Sequence, residues 1–152
     1  MNNQNDSKKR VMVILGLQWG DEGKGKFIDF LVLFLSSLHK LVVARFQGGS
    51  NAGHSIEFGE RQVVFHALPS GMLQKDTYNL VGAGVNVDVI SMQKEIMEIQ
   101  DIAPWWKENL FIAKEATVVV PTAKLIDNAQ EASRGKGKIG TTGKAIGPTY
   151  AD

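Results

Sequence analysis

Between Gly16 and Lys26 the chain reads Gly-Leu-Gln-Trp-Gly-Asp-Glu-Gly-Lys-Gly-Lys, residue types suited to a polyphosphate. Glycines let backbone N–H groups approach phosphate closely, and Lys24 and Lys26 supply positive charge. Gly20, four residues, then Gly25-Lys26 is the spacing of a phosphate-binding loop, but Phe27 stands where Ser or Thr would hold Mg²⁺. Any metal that accompanies a nucleotide therefore needs another ligand, and Asp21 inside the loop is the candidate. A carboxylate beside a triphosphate repels it unless a cation intervenes or the carboxylate takes a proton, so Asp21 carries more weight than Glu22. The plainer reading is a flexible charged turn. The apolar run before the loop and the helical pattern after it favour phosphate binding.

A second glycine loop, Gln47-Gly48-Gly49-Ser50-Asn51-Ala52-Gly53-His54, follows another apolar run. Ligands of open α/β sheets sit outside the carboxyl ends of strands, so the two loops are expected to face one crevice. There His54 could act as a general acid or stabilise charge on oxygen. His39 and His66 read as structural, one at a helix end and one on a strand. The glycine-rich stretch from Arg134 to Pro148 is basic, and its paired Thr141-Thr142 suits hydroxyls and amides arranged around a monophosphate. Trp105-Trp106 after Pro104 could stack on a base, although a packed loop plug is the commoner use of such a pair.

The elements that must position these residues alternate between strand and helix. Strands are expected at Arg10–Leu15, Leu41–Phe46, Asn79–Ala83, Leu110–Ala113 and Thr117–Val120, with a hairpin of Ser55–Phe58 and Gln62–Leu68. Helices are expected at Lys24–Ser37, Val89–Gln100 with Asp88 as cap, and Thr122–Ala132 opened by Pro121. The first helix is apolar almost all round, which marks it as buried or covered by a partner. It is shorter than the roughly 20 residues that cross a bilayer. Thr149 to Asp152 follow the last loop with no closing element expected. The fold class is α/β, a P-loop-NTPase-like mostly parallel sheet flanked by helices with a small β-hairpin insertion.

At 152 residues the chain suits one domain, residues 10–152, after a polar tail over residues 1–9 that is expected to be disordered. A net charge of +1 gives neither nucleic acid nor a membrane surface a dominant field to bind. With no cysteine there are no disulfides or thiolate metal sites, which is compatible with a reducing cytosol.

Four motifs together closely resemble adenylosuccinate synthetase. They are Trp19 to Lys26, Gln47-Gly48-Gly49 with Asn51-Ala52-Gly53-His54, His66 with Pro69-Ser70-Gly71, and Ile139-Gly140-Thr141-Thr142-Gly143 with Ile146-Gly147-Pro148. They occur in the family's order and similar spacing, and correspond to the N-terminal third or so of a typical member. The resemblance implies a cytoplasmic, homodimeric ligase of purine nucleotide biosynthesis, joining IMP and L-aspartate at the expense of GTP with Mg²⁺. It implies Asp21 as base and metal ligand, His54 as general acid, and the Gly53 carbonyl as a second metal ligand. Contacts to GTP would come from Gly20, Asp21, Glu22, Gly23, Lys24, Gly25, Lys26, Gly53, His54 and Ser55. Contacts to IMP would come from Asp21, Glu22, Gly23, Lys24, Asn51, Ala52, Gly53, His54 and Thr142.

The chain also departs from the family pattern. Lys144 replaces an arginine expected to hold the aspartate carboxylate, and a lysine lacks the bidentate fork. Ala83 stands for an asparagine, Ser50 and Ser55 are milder changes, and the Leu31–Leu38 region is unusually apolar. The family's guanine-recognition segment and aspartate loop lie outside this match. Two alternatives accompany the main reading: a non-catalytic GTP- and IMP-binding remnant, and a phage-type relative that uses a guanine deoxynucleotide.

Overall fold

The computed structural model describes residues 10–18, 20 and 22–151. The expected disordered tail, Trp19, Asp21 and Asp152 lie outside the described residues. The main sheet has the order β1 (Leu41–Gly48), β4 (Thr77–Val87), β5 (Leu110–Ile112), and β6 (Thr117–Val118) pairs with the far end of β4. All its pairings are parallel. Between β1 and β4 the chain forms an antiparallel hairpin of β2 (His54–Phe58) and β3 (Arg61–Phe65), then a 3-10 turn at Ser70–Leu73. Helices α1 (Lys24–Ser36), α2 (Val89–Ile99), α3 (Trp106–Asn109), α4 (Pro121–Ser133) and α5 (Ile146–Ala151) complete the chain. The α/β class, the mostly parallel sheet and the inserted hairpin are as the sequence implies.

Local chemistry sets most boundaries. Asp88 caps α2, its carboxylate accepting from the Ser91 backbone N–H at 3.3 Å and the Ser91 hydroxyl at 2.9 Å. Pro121 opens α4, where its missing N–H costs nothing. The core lies between the hairpin, the 3-10 turn, β4 and α2, and centres on Phe65, Leu68, Met72, Val81 and Ile99. Burying each of the larger side chains stabilises the fold by about 1.5–3 kcal/mol. Trp105 and Trp106 pack against this core, as the plug reading expects.

Several expectations are corrected. Arg10–Leu15 is not a strand: residues 10–17 have no regular structure, and Val11 is 89% exposed. A parallel strand needs a partner edge and apolar cover on its faces. Among the described residues β1 pairs only with β4, and its outer side chains Val42 and Phe46 are 65% and 50% exposed. Nor is α1 buried by the described residues of this chain. Val32 is its one buried residue, while Phe27, Phe30, Leu33 and Phe34 face solvent.

β4 runs through Gly82 and Gly84 instead of stopping there. These glycines are sites of close backbone approach, since a β-carbon on Gly84 would stand 2.6 Å from the Phe46 carbonyl oxygen. Finally, the chain after Gly147 closes with a helix. The α5 hydroxyl of Tyr150 accepts from the Gly48 N–H at 3.1 Å and donates to the Gly84 carbonyl at 2.7 Å.

Candidate functional site

The first loop enters α1 through Gly23 in the left-handed conformation, φ 78°, with no side chain capping the helix. Uncapped first-turn N–H groups and the helix dipole make this end of a 13-residue helix a place for anions. Glu22 holds the loop from within. Its carboxylate meets the Lys24 ammonium at 2.5 Å and accepts from the Gln18 N–H at 3.0 Å. The Lys24 hydrogen bond, its own backbone N–H and that of Gln18 lower the Glu22 pKa to about 2. The lysine is thus engaged by a carboxylate that a bound phosphate would have to displace.

The second loop ends at His54, the first residue of β2. A β-carbon on Gly25 would stand 2.4 Å from His54 Cγ, so the two glycine loops meet at this ring. The imidazole packs edge-on against Phe65, with centroids 5.9 Å apart and planes at 77°, and its Nε2 lies 2.9 Å from Ser70 Oγ. Burial, then the positive field of Arg45 and the neighbouring His66, push the His54 imidazole below its usual range. The negative charge of a triphosphate acts the other way and favours the protonated ring. One residue earlier, a β-carbon on Gly53 would stand 2.6 Å from His66 Nε2. His66 is therefore a wall of the loop, in a structural role close to the site.

Residues not singled out in the sequence hold this arrangement. Arg45 on β1 donates to the carbonyls of Gly49 and His66, tying the second loop to the segment after β3. Glu95 on α2 is buried, and its carboxylate accepts from the backbone N–H groups of His66, Ala67 and Leu68 at 2.9–3.1 Å. That carboxylate replaces ladder partners, which is why β3 ends at Phe65 instead of Leu68. On α4, Asp127 accepts from the Ala145 N–H at 2.9 Å and Glu131 from the Gly140 N–H at 2.6 Å. One helical turn apart, they pin both ends of the loop carrying Thr141, Thr142 and Lys144. The i, i+4 spacing of two carboxylates on α4 was the available signal. Arg45 and Glu95 left none, because their partners are remote in sequence.

Asn51 and Thr142 line one cavity of about 420 Å³, together with Gln130, Arg134 and Thr141. Lys144 does not line it. A larger depression of about 550 Å³, between the hairpin and α2 near Arg61 and Asp101, contains none of the sequence-predicted site residues. The structure thus brings Gly25 to His54 and Asn51 to Thr142. Gly20, Glu22 and Gly23 lie on the first loop and Lys24 and Lys26 in the first turn of α1, while Ala52 and Gly53 lie on the second loop and Ser55 follows His54 in β2. Asp21 lies outside the described residues.

Among the described residues no group of three or more His, Asp or Glu side chains could hold a metal. The expected donors are oxygens, the Asp21 carboxylate and the Gly53 carbonyl. Gly53 is an exposed residue and directly precedes His54, whose ring meets the first loop. Such a sparse, hard donor set fits Mg²⁺, which keeps waters and takes its remaining ligands from phosphates. Among the described residues no helix is long and apolar enough to cross a membrane.

Fold and site together define an α/β protein in which paired glycine loops meet at the carboxyl end of a parallel sheet. The adenylosuccinate synthetase family model matches residues 13–152. Adenylosuccinate synthetase of Flavobacterium johnsoniae is 47% identical over 142 residues, 93% of this chain and 32% of that protein. The Bacteroides fragilis enzyme is 47% identical over 143 residues, 94% of this chain and 33% of its own length. A fully ligated adenylosuccinate synthetase from Plasmodium falciparum superimposes with a TM-score of 0.77 at 35% identity, over 90% of this chain and 31% of that one. Succinoaminodeoxyadenylate synthetase of cyanophage S-2L, solved with dGMP and dATP, shares the fold at a TM-score of 0.62 and 20% identity, over 88% of this chain and 35% of its own. The chain belongs to the adenylosuccinate synthetase family. It spans about a third of the length of the curated relatives it matches.

Proposed function

We propose that this chain carries the phosphoryl-transfer part of an adenylosuccinate synthetase. Residues 10–152 would form the N-terminal part of its nucleotide-binding domain. The observation that supports this most directly is the meeting of Gly25 and His54, which gives the two loops a shared floor. The reaction is the GTP-dependent, C–N-bond-forming ligation of IMP and L-aspartate to adenylosuccinate, in AMP biosynthesis. In the whole enzyme the setting would be cytoplasmic and the assembly a homodimer.

The 6-oxo group of hypoxanthine is a poor leaving group, so it must be phosphorylated before an amine can displace it. Asp21 takes the N1 proton, which makes O6 nucleophilic. The oxygen attacks the γ-phosphorus and GDP departs, with His54 donating a proton at the phosphoryl group. The aspartate amine then displaces phosphate. Lys24, Lys26 and the first-turn N–H groups of α1 neutralise and orient the triphosphate, the dominant contribution in phosphoryl transfer. The Asp21 carboxylate and Gly53 carbonyl would hold Mg²⁺, which supplies charge neutralisation between phosphates when bound. Asn51 and Thr142 would receive the IMP monophosphate in the cavity they share. Lys144 would meet the aspartate carboxylate as a single point charge, without the bidentate fork of an arginine.

Because the chain spans about a third of its relatives, the 152 residues alone are expected to bind nucleotide without turnover. Titration calorimetry with GTP·Mg²⁺ and with IMP tests this. Saturable binding of both supports the reading, and no binding of either overturns it.

A further inference from the structure

We propose that Ser70 is a positioning residue for His54, its hydroxyl holding the imidazole at Nε2 and leaving Nδ1 as the nitrogen that serves the reacting oxygen. The inference deepens the assignment of His54 as general acid and rests on it. Ser70 Oγ and His54 Nε2 are 2.9 Å apart, and Ser70 is 5% exposed. The one hydrogen bond of the ring among the described residues is this one, at Nε2.

The hydroxyl is held in place from both sides. Upstream, Glu95 fixes the backbone of His66, Ala67 and Leu68 through their N–H groups. Downstream, a β-carbon on Gly71 would stand 2.7 Å from Asn79 Oδ1 and 2.9 Å from Val43 Cγ2, so the turn is seated against β4 and β1. The ring is held as well, by Phe65 at its edge and Gly25 at its root. Few orientations remain to it, and Ser70 supplies the polar contact that selects one.

The proton arithmetic sets the direction of that contact. An imidazolium carries protons on both nitrogens, so Ser70 Oγ accepts from Nε2–H in the acid form. On transfer the Nδ1–H bond breaks, its electron pair stays on Nδ1, and the proton passes to a phosphoryl oxygen. The ring left behind is the neutral Nε2–H tautomer, still donating to Ser70. No rotation separates the two states, which is the pre-organisation a positioned acid needs.

Long-range ¹H–¹⁵N correlation spectra of the uniformly ¹⁵N-labelled chain, recorded without nucleotide at a pH high enough to deprotonate the imidazolium, test this. The expected result is His54 in the Nε2–H tautomer, loss of that single-tautomer pattern in S70A, and its return in S70T. Unchanged amide shifts of Met72 and Leu73 establish that the turn survives in S70A. An Nδ1–H tautomer in the unsubstituted chain overturns the proposal, as does an unaltered pattern in S70A with the turn intact. If S70A disturbs the turn, S70T decides: failure to keep Nε2–H overturns the proposal. The tautomer is read without ligand, so its outcome is separate from the calorimetric test of GTP and IMP binding.

Discussion

The imidazole of His54 occupies the space a side chain on Gly25 would need, its Cγ only 2.4 Å from where that β-carbon would stand. One position is in the second turn of chemistry-bearing residues and the other in the first. Their contact turns two separate glycine loops into one site.

Replacing Gly25 with alanine should therefore act on His54. Gly25 lies in the first turn of α1, where alanine is a better helix former, so any loss has to come from the clash. Forcing a methyl group into a filled space costs about 1–3 kcal/mol. GTP·Mg²⁺ affinity measured by calorimetry should fall at least about tenfold, equivalent to about 1.4 kcal/mol. The His54 ring resonances should move. An unchanged ring and unchanged affinity would show that the loops are not in contact.

Glu95→Gln should loosen the segment behind the site. The carboxylate takes three backbone N–H groups, and one amide oxygen cannot replace it. Hydrogen bonds to a charged group are worth about 1.5–3 kcal/mol each. Urea unfolding should show a lowered midpoint, and hydrogen exchange at His66, Ala67 and Leu68 should accelerate ahead of exchange in β4.

Asp88 gives the chain an acid-sensitive bond. Burial raises its pKa, but the Lys124 ammonium at 2.7 Å and the Ser91 hydroxyl and N–H outweigh it, and the net pKa is lowered from 3.8. A carboxyl with a depressed folded-state pKa contributes stability that is fully present above the unfolded value and lost as pH falls through the folded one. Stability should thus decline below about pH 3.8 in part through this group. Asp88→Ala should lower neutral-pH stability by about 1–3 kcal/mol and flatten that part of the acid profile, as read by thermal unfolding against pH.

The uncovered apolar face of α1 should make the isolated chain self-associate. Phe30 and Phe34 are 63% and 61% exposed and lie on one side of the helix, a patch that favours association. Sedimentation velocity should show concentration-dependent oligomers. The double substitution Phe30→Glu and Phe34→Glu should reduce them with little change in circular dichroism. Oligomers that persist unchanged would place the association elsewhere.

Features set by neighbouring residues were legible in the sequence. Asp88 as cap, Pro121 as helix opener and the alternation of apolar runs with glycine loops all act within a few positions of themselves. The site's outline was legible too, because glycine spacing and His54 carry their chemistry locally. The supports were not. Glu95 reaches N–H groups 27–29 residues away and Arg45 reaches a carbonyl 21 residues away, so neither leaves a periodic trace. Gly82 and Gly84 misled because a glycine that lets two strands close up looks, in sequence, like one that ends a strand. Val11–Leu15 misled because apolar composition records what a segment could pack against, whereas among the described residues this segment pairs with no strand and most of its side chains are exposed.

Whether both loops close over one triphosphate can be read directly by paramagnetic relaxation with Mn²⁺·GTP in place of Mg²⁺·GTP. Broadening of both the Gly25 amide and the His54 ring signals, with Lys107 in the remote α3 helix unaffected, is the expected result. Broadening confined to the first loop, with His54 sharp, would contradict a shared site.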